Sequence, residues 1–278
     1  MRLHLLGVRG STPTPGPAFA RHGGHTSCVA VEAEDGSVPI VLDAGTGLRS
    51  LGRVLDGRAF VGTLLLGHLH WDHTQGLPFS PVVDHPDARV RVLAPTACGQ
   101  SVDQLLAQAM SPPNFPIRPD ELRGDWSWGP LVEGHRSLEG FEVLAREIPH
   151  KGGRTFGFRV SDGTRAFAYL SDHMPQALGP GPDGLGARHD AALALADGVD
   201  VLIHDAQYTA EELPTRGAFG HSATEYAVAL GQEAGAGRVV LFHHDPQRTD
   251  DEIDAIVARF TDAPMPVVAA VEGATISC

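Results

Sequence analysis

His68-Leu69-His70-Trp71-Asp72-His73 places four side chains able to ligate a metal within six residues, directly after the apolar run Leu64-Leu65-Leu66. An apolar run that stops at polar residues reads as a buried strand and its exit. In extended chain, residues two apart point the same way, so His68 and His70 can share one ion. Asp72 and His73, where the chain turns away, would then face a second ion. Histidine nitrogens and a carboxylate with no thiolate suit Zn2+, and also Mn2+ or Fe2+. A histidine-rich surface loop is the plainer reading of this stretch alone, but further ligand-type residues downstream weigh against it.

Strand-like runs recur along the chain at Ile40–Leu42, Leu64–Leu66, Arg89–Leu93, Phe158–Val160, Ala166–Leu170, Val199–Ile203 and Val239–Phe242, with helical segments between them. This alternation predicts α/β layers. Leu42 is followed by Asp43, Leu66 by His68 after one glycine, Leu170 by Asp172 after one serine, Ile203 by His204 and Asp205, and Phe242 by His243. Polar chemistry gathered at strand ends is the pattern of an active site on one edge of sheets. Thr249-Asp250-Asp251-Glu252 predicts a capping box that opens a helix. Ser222-Ala223-Thr224-Glu225 predicts a second, with His221 immediately outside its start. The proline- and tryptophan-bearing stretch Ser111–Trp128 falls outside the alternation. It is expected as an ordered loop packed on the body, with a lid insertion around residues 99–135 as the sharper alternative.

With 278 residues and no evident linker, one domain spanning 1–278 is expected. No segment has the apolar length needed to span a membrane, and the N-terminus, Met1–Arg9, reads as a first strand rather than a secretory signal, so a cytoplasmic location is expected. Cys28, Cys98 and Cys278 are too few and too scattered for a disulfide framework or a thiolate site. The net charge of -13, with a single lysine at Lys151, opposes binding of long nucleic acid, which depends on neutralising phosphates. A small anionic substrate is the expected partner, without a membrane and with room for a homodimer.

Together, these residues resemble the metallo-β-lactamase superfamily, whose signature is His-x-His-x-Asp-His after a strand. The resemblance runs nearly end to end, through Leu42-Asp43-Ala44-Gly45-Thr46-Gly47, His68–His73, His150, Ser171-Asp172, His204-Asp205-Ala206, Gly220-His221-Ser222 and Leu241–Pro246. Within the superfamily it is most similar to the ribonuclease Z and cyclic-phosphodiesterase branch. The resemblance implies a four-layer αβ/βα sandwich of two mixed sheets flanked by helices, with two divalent ions at one edge. His68, His70 and His150 would hold the first ion. Asp72, His73 and His243 would hold the second, and Asp172 would bridge the two. His243 is preferred to its neighbour His244, Asp43 is expected to fix the loop beneath the site without touching metal, and His173, His204 and His244 are expected to be structural.

The resemblance further implies Asp72, Asp205 and His221 as catalytic residues, with His221 either giving a proton to the leaving oxygen or clamping the phosphoryl group, and Asp205 holding and orienting it. Ribonuclease Z has glutamate where this chain has the shorter Asp205. Two divalent ions, two aspartates and a metal-bridging hydroxide leave about one net positive charge, matched to a phosphodiester monoanion. The expected function is hydrolysis of small or cyclic phosphodiesters. Alternatives are hydrolysis of a carbon ester, thioester or lactam on the same site, and a metal-bound sensor that does no chemistry.

Overall fold

The computed structural model describes residues 1–278, and its strands form two seven-stranded sheets. The first holds β1 (Arg2–Gly7), β2 (Cys28–Glu32), β3 (Ile40–Leu42), β4 (Val61–Leu65), β5 (Arg89–Ala94) and β6 (Asp125–Pro130). The second holds β7 (Gly134–Leu138), β8 (Phe141–Ile148), β9 (Thr155–Ser161), β10 (Ala166–Leu170), β11 (Val201–Asp205), β12 (Val239–Phe242) and β13 (Val267–Ala269). The last strand, β14 (Thr275–Ser277), returns to the first sheet beside β1. Each sheet is antiparallel on one flank and parallel on the other: β3 to β6 run parallel in the first, and β10 to β13 in the second.

Strand periodicity explains the layering. Ile40 and Leu42 enter a core between the sheets while Val41 points outward; Phe167 and Tyr169 enter it while Ala166, Ala168 and Leu170 point outward. Alternate side chains face opposite sides of a sheet, and these strands are apolar on both, so both faces must be covered. Helices α1 (Leu51–Val54) and α2 (Val102–Ala107) cover the first sheet, and α3 (Asp190–Ala196), α5 (Thr224–Glu233) and α6 (Asp250–Ala258) the second; the short α4 (Leu213–Arg216) precedes α5. The result is the four-layer αβ/βα sandwich. No helix is long and apolar enough to cross a membrane.

Thr249 caps α6 as its sequence predicts, with its hydroxyl accepting from the Glu252 amide and the Glu252 carboxylate accepting from the Thr249 amide. The second predicted box does not form. Tyr208 donates its amide to the Ser222 carbonyl and accepts from the Thr224 amide, so Ser222 and Ala223 are held extended and α5 starts only at Thr224. His221 therefore stands three residues ahead of the helix. Within 99–135, the end of the Ser111–Trp128 stretch is strand rather than loop, because β5 offers β6 a parallel edge; Trp126 and Trp128 stack on each other and pack on the outer core of the first sheet.

Candidate metal centre

The carboxyl ends of the parallel strands open on one edge of the sandwich, where ligand sites of layered α/β folds collect. Asp43 follows β3, Asp172 lies two residues past β10, and His243 follows β12. All three, with Ser11, have left-handed backbone, at φ of 57°, 61°, 58° and 62°. Aspartate and histidine tolerate this region better than most residues, and clustered occupancy of it marks sites where the fold holds a side chain against local preference. The sharp turn at each strand end aims the side chain back over the sheet edge.

Three groups of ligand atoms result, each spanning no more than 4.8 Å: the four-residue groups His68, His70, His150 and Asp172, and Asp72, His73, Asp172 and His243, which the expected ligands make up, and a three-residue group of Asp205, His221 and His243. Asp172 belongs to both four-residue groups. Its Oδ2 lies 3.5 Å from His68 Nε2 and 3.4 Å from His150 Nε2, and its Oδ1 lies 3.0 Å from His73 Nε2 and 3.1 Å from His243 Nε2. Asp72 Oδ2 is 3.2 Å from both His73 Nε2 and His243 Nε2. Nitrogen and oxygen ligands at roughly 2.0–2.2 Å from a shared ion stand about 3–3.5 Å from each other, the separations seen here. His68 Nε2 and His73 Nε2 are buried and make no hydrogen bond despite the carboxylate oxygens beside them. That arrangement suits ligands converging on a common cation.

Charge leads to the same conclusion. Asp43, Asp72, Asp172 and Asp205 are all buried, and the ion pairs they form are with histidines alone. Buried carboxylates without lysine or arginine call for another source of positive charge. Burial works against charge on His73, but Asp172, Asp72 and Asp43 outweigh it and hold its proton well above the ordinary histidine range. His68 is pushed the other way, by burial and by His73, and so keeps a neutral ring with a lone pair.

Orientation is set one layer further out. His73 Nδ1 donates to Asp43 Oδ2 at 2.8 Å, and the Tyr169 hydroxyl and the Gly67 amide also donate to Asp43. Such a carboxylate fixes the imidazole tautomer that leaves Nε2 free for metal. His150 Nδ1 donates to the Gly220 carbonyl at 2.7 Å, with the same effect on its Nε2, and the Ser11 amide donates to Asp72 Oδ2 at 2.7 Å. His244, by contrast, turns away: its Nε2 donates to the Ala270 carbonyl, and burial lowers its pKa to about 3. Asp43 touches neither ligand group except through His73.

Beside the four-residue groups, His221 Nδ1 donates to Asp205 Oδ2 at 2.9 Å, so the shorter acid still reaches. Asp205 is itself fixed by the His173 and Gln207 amides. Burial disfavours a charged His221, yet Asp205 outweighs it and raises the pKa. The His221 ring stacks on His243 at 4.9 Å and lines a cleft of about 570 Å3 with His70, Asp72, His150 and Asp172. The other walls come largely from residues without a ligand-like signal in the sequence, among them Ser11, Gln207, Tyr208, Arg216 and Phe219. None of residues 99–135 lines it.

A family model described as a beta-lactamase superfamily domain matches residues 39–244. Ribonuclease Z of Salinibacter ruber (strain DSM 13855 / M31) is 27% identical, with 79% of each chain covered. The crystal structure of a diphosphatase from the PhnP family superposes with a TM-score of 0.71 at 17% identity, over 100% of this chain and 97% of that one. Human tRNase Z, short form, superposes at 0.66 and 21% identity, over 100% and 99%. At such identities the structural likeness is one of fold.

Proposed function

We infer that this chain, which belongs to the metallo-β-lactamase superfamily and within it to the ribonuclease Z branch, is a dinuclear metal-dependent hydrolase of small or cyclic phosphodiesters. The observation that carries the reading is the His221–Asp205 pair, set against the ligand groups and facing the same cleft. Beside a His-x-His-x-Asp-His site, such an acid–histidine pair belongs to the phosphodiesterase branch that the chain resembles, which favours diesters over carbon esters, thioesters and lactams.

His68, His70 and His150 would hold one divalent ion, Asp72, His73 and His243 the other, and Asp172 would serve both through its two oxygens. Zn2+ fits the nitrogen-rich set, as do Mn2+ and Fe2+. When bound, such a pair activates water near neutral pH and offsets charge on the phosphoryl oxygens. The protein's own part is positioning and proton transfer. Asp43 keeps His73 in one tautomer, the Gly220 carbonyl does so for His150, and the Ser11 amide fixes the Asp72 carboxylate. With its Nδ1 held by Asp205, His221 has Nε2 available to give a proton to the departing oxygen.

A small substrate is favoured by the charge of -13 and by a cleft with one cationic side chain, Arg216. The test is a side-by-side assay of metal-analysed protein on cyclic nucleotides, linear diesters, thioesters and β-lactams. Turnover of the diesters is expected. Hydrolysis confined to thioesters or lactams would overturn the reading, and about two ions per chain with no turnover on any of them would favour a sensor.

A further inference from the structure

Trp71 and Phe219 are large aromatic residues left 68% and 63% exposed, and both stand on the wall of the catalytic cleft. Each is tied by the chain to the reacting centre. Trp71 sits between His70 and Asp72. Phe219 is followed by Gly220, whose carbonyl orients His150, and then by His221. Gly220 is left-handed at φ 105°, and a Cβ there would meet the His150 ring at 3.1 Å, so the backbone that carries Phe219 is locked against the site. The two aromatics come from opposite halves of the sandwich, one after β4 and one before α5.

The remaining wall says what such rings could hold. Arg216, the cation of the cleft, is paired with Asp245 at 2.5 Å and lies over the Tyr208 ring at 4.6 Å. Its charge is thus already met, and it offers little to a second phosphate. Recognition beyond the scissile group falls to flat apolar faces. A cleft of about 570 Å3 is within the usual range for a small-molecule site. Exposed aromatic faces beside a phosphate-handling site are what nucleobases stack on.

We propose that Trp71 and Phe219 form a clamp that holds the nucleobase of a nucleotide phosphodiester and so sets the enzyme's substrate preference. The proposal rests on the phosphodiesterase reading for its reaction, while the clamp itself is a matter of binding. Two probes with the same scissile group separate the contributions: adenosine 2′,3′-cyclic phosphate and methyl riboside 2′,3′-cyclic phosphate, which has no base. In wild type, kcat/KM is expected to favour the adenosine compound roughly 10-fold or more, the scale of a base stacked on an aromatic side chain. Phe219→Ala and Trp71→Leu should each cut that ratio by roughly 10-fold. Phe79→Ala, which removes an exposed ring outside the cleft, should leave the ratio as it is. A wild-type ratio near one, or a ratio that survives both clamp variants, overturns the proposal.

If wild type cleaves neither probe, the broader diester panel decides the functional reading separately, and calorimetry decides the clamp. AMP should bind more tightly than ribose 5-phosphate, and Phe219→Ala should remove most of that advantage. Equal binding of the two in wild type rejects the clamp.

Discussion

Of the two ligand groups that share Asp172, one is enclosed and the other stands open. His73 and His243 are fully buried and absent from the cleft wall, which their group reaches through Asp72 and the shared Asp172, whereas both His70 and His150 form part of it above the buried His68. Their support differs as well. His73 rests on Asp43, which rests on Tyr169 and the Gly67 amide, and Asp72 accepts from the Ser11 amide. In the open group His150 has the Gly220 carbonyl, and His70 meets only other members of the site. Depth and backing go together: the more enclosed group has the more extensive hydrogen-bonded support, and the more open one is the readier for a chelator to reach.

The comparison breaks first at the shared residue. Asp172→Ala should abolish turnover and lower metal content from about two ions per chain to near none, read by elemental analysis; retention of both ions would show that Asp172 does not join the groups. Next in size, His221→Ala should slow turnover by about 10²–10⁴-fold while both ions stay bound. Loss of an ion instead would place His221, with Asp205 and His243, among the ligands. A smaller effect is expected from Asp43→Asn, which leaves every proposed ligand intact but should weaken one of the two ions about 10–100-fold. Stepwise chelation would then no longer remove the ion of the open group clearly first.

The smallest effect is a control far from both groups. Glu32, buried between Arg2 and His4, meets a burial penalty, but hydrogen bonds from His4 and Arg2 outweigh it and bring its pKa below the ordinary 4.5. A depressed carboxyl stabilises the fold at pH above its unfolded value, and this contribution is lost as pH falls through the folded value. Glu32→Gln should therefore cost about 1 kcal/mol near neutrality and reduce the loss of stability on acidification below about pH 4.5, with metal content unaltered. A variant that sheds metal would reveal coupling between this end of the sandwich and the site.

Legibility in the sequence divides the site along a different line, which runs through both groups. His68 to His73 are contiguous and follow an obvious apolar strand, so the sequence displays them directly. His150, Asp172 and His243 look individually like turn residues; they gain meaning through the family resemblance, because nothing local says that three strand ends meet. Continuous apolar runs revealed β3, β4 and β10 to β12, but Phe141–Ile148 escapes the same reading because Glu142, Arg146 and Glu147 interrupt it. The Ser222–Glu225 motif forms no cap because backbone bonds with Tyr208, outside the motif, hold Ser222 and Thr224 instead. Ser11 acts through its amide, which no side-chain pattern can announce.

His68 to His73 leave the first sheet, while His150, Asp172 and His243 leave the second. An ion held by both sets would therefore act as a cross-link between the two halves of the molecule. By mass action, each tenfold rise in free metal above its dissociation constant would add about 1.4 kcal/mol per ion to the stability of the folded state. Melting temperature should then follow the free metal concentration, as the two halves are joined more firmly.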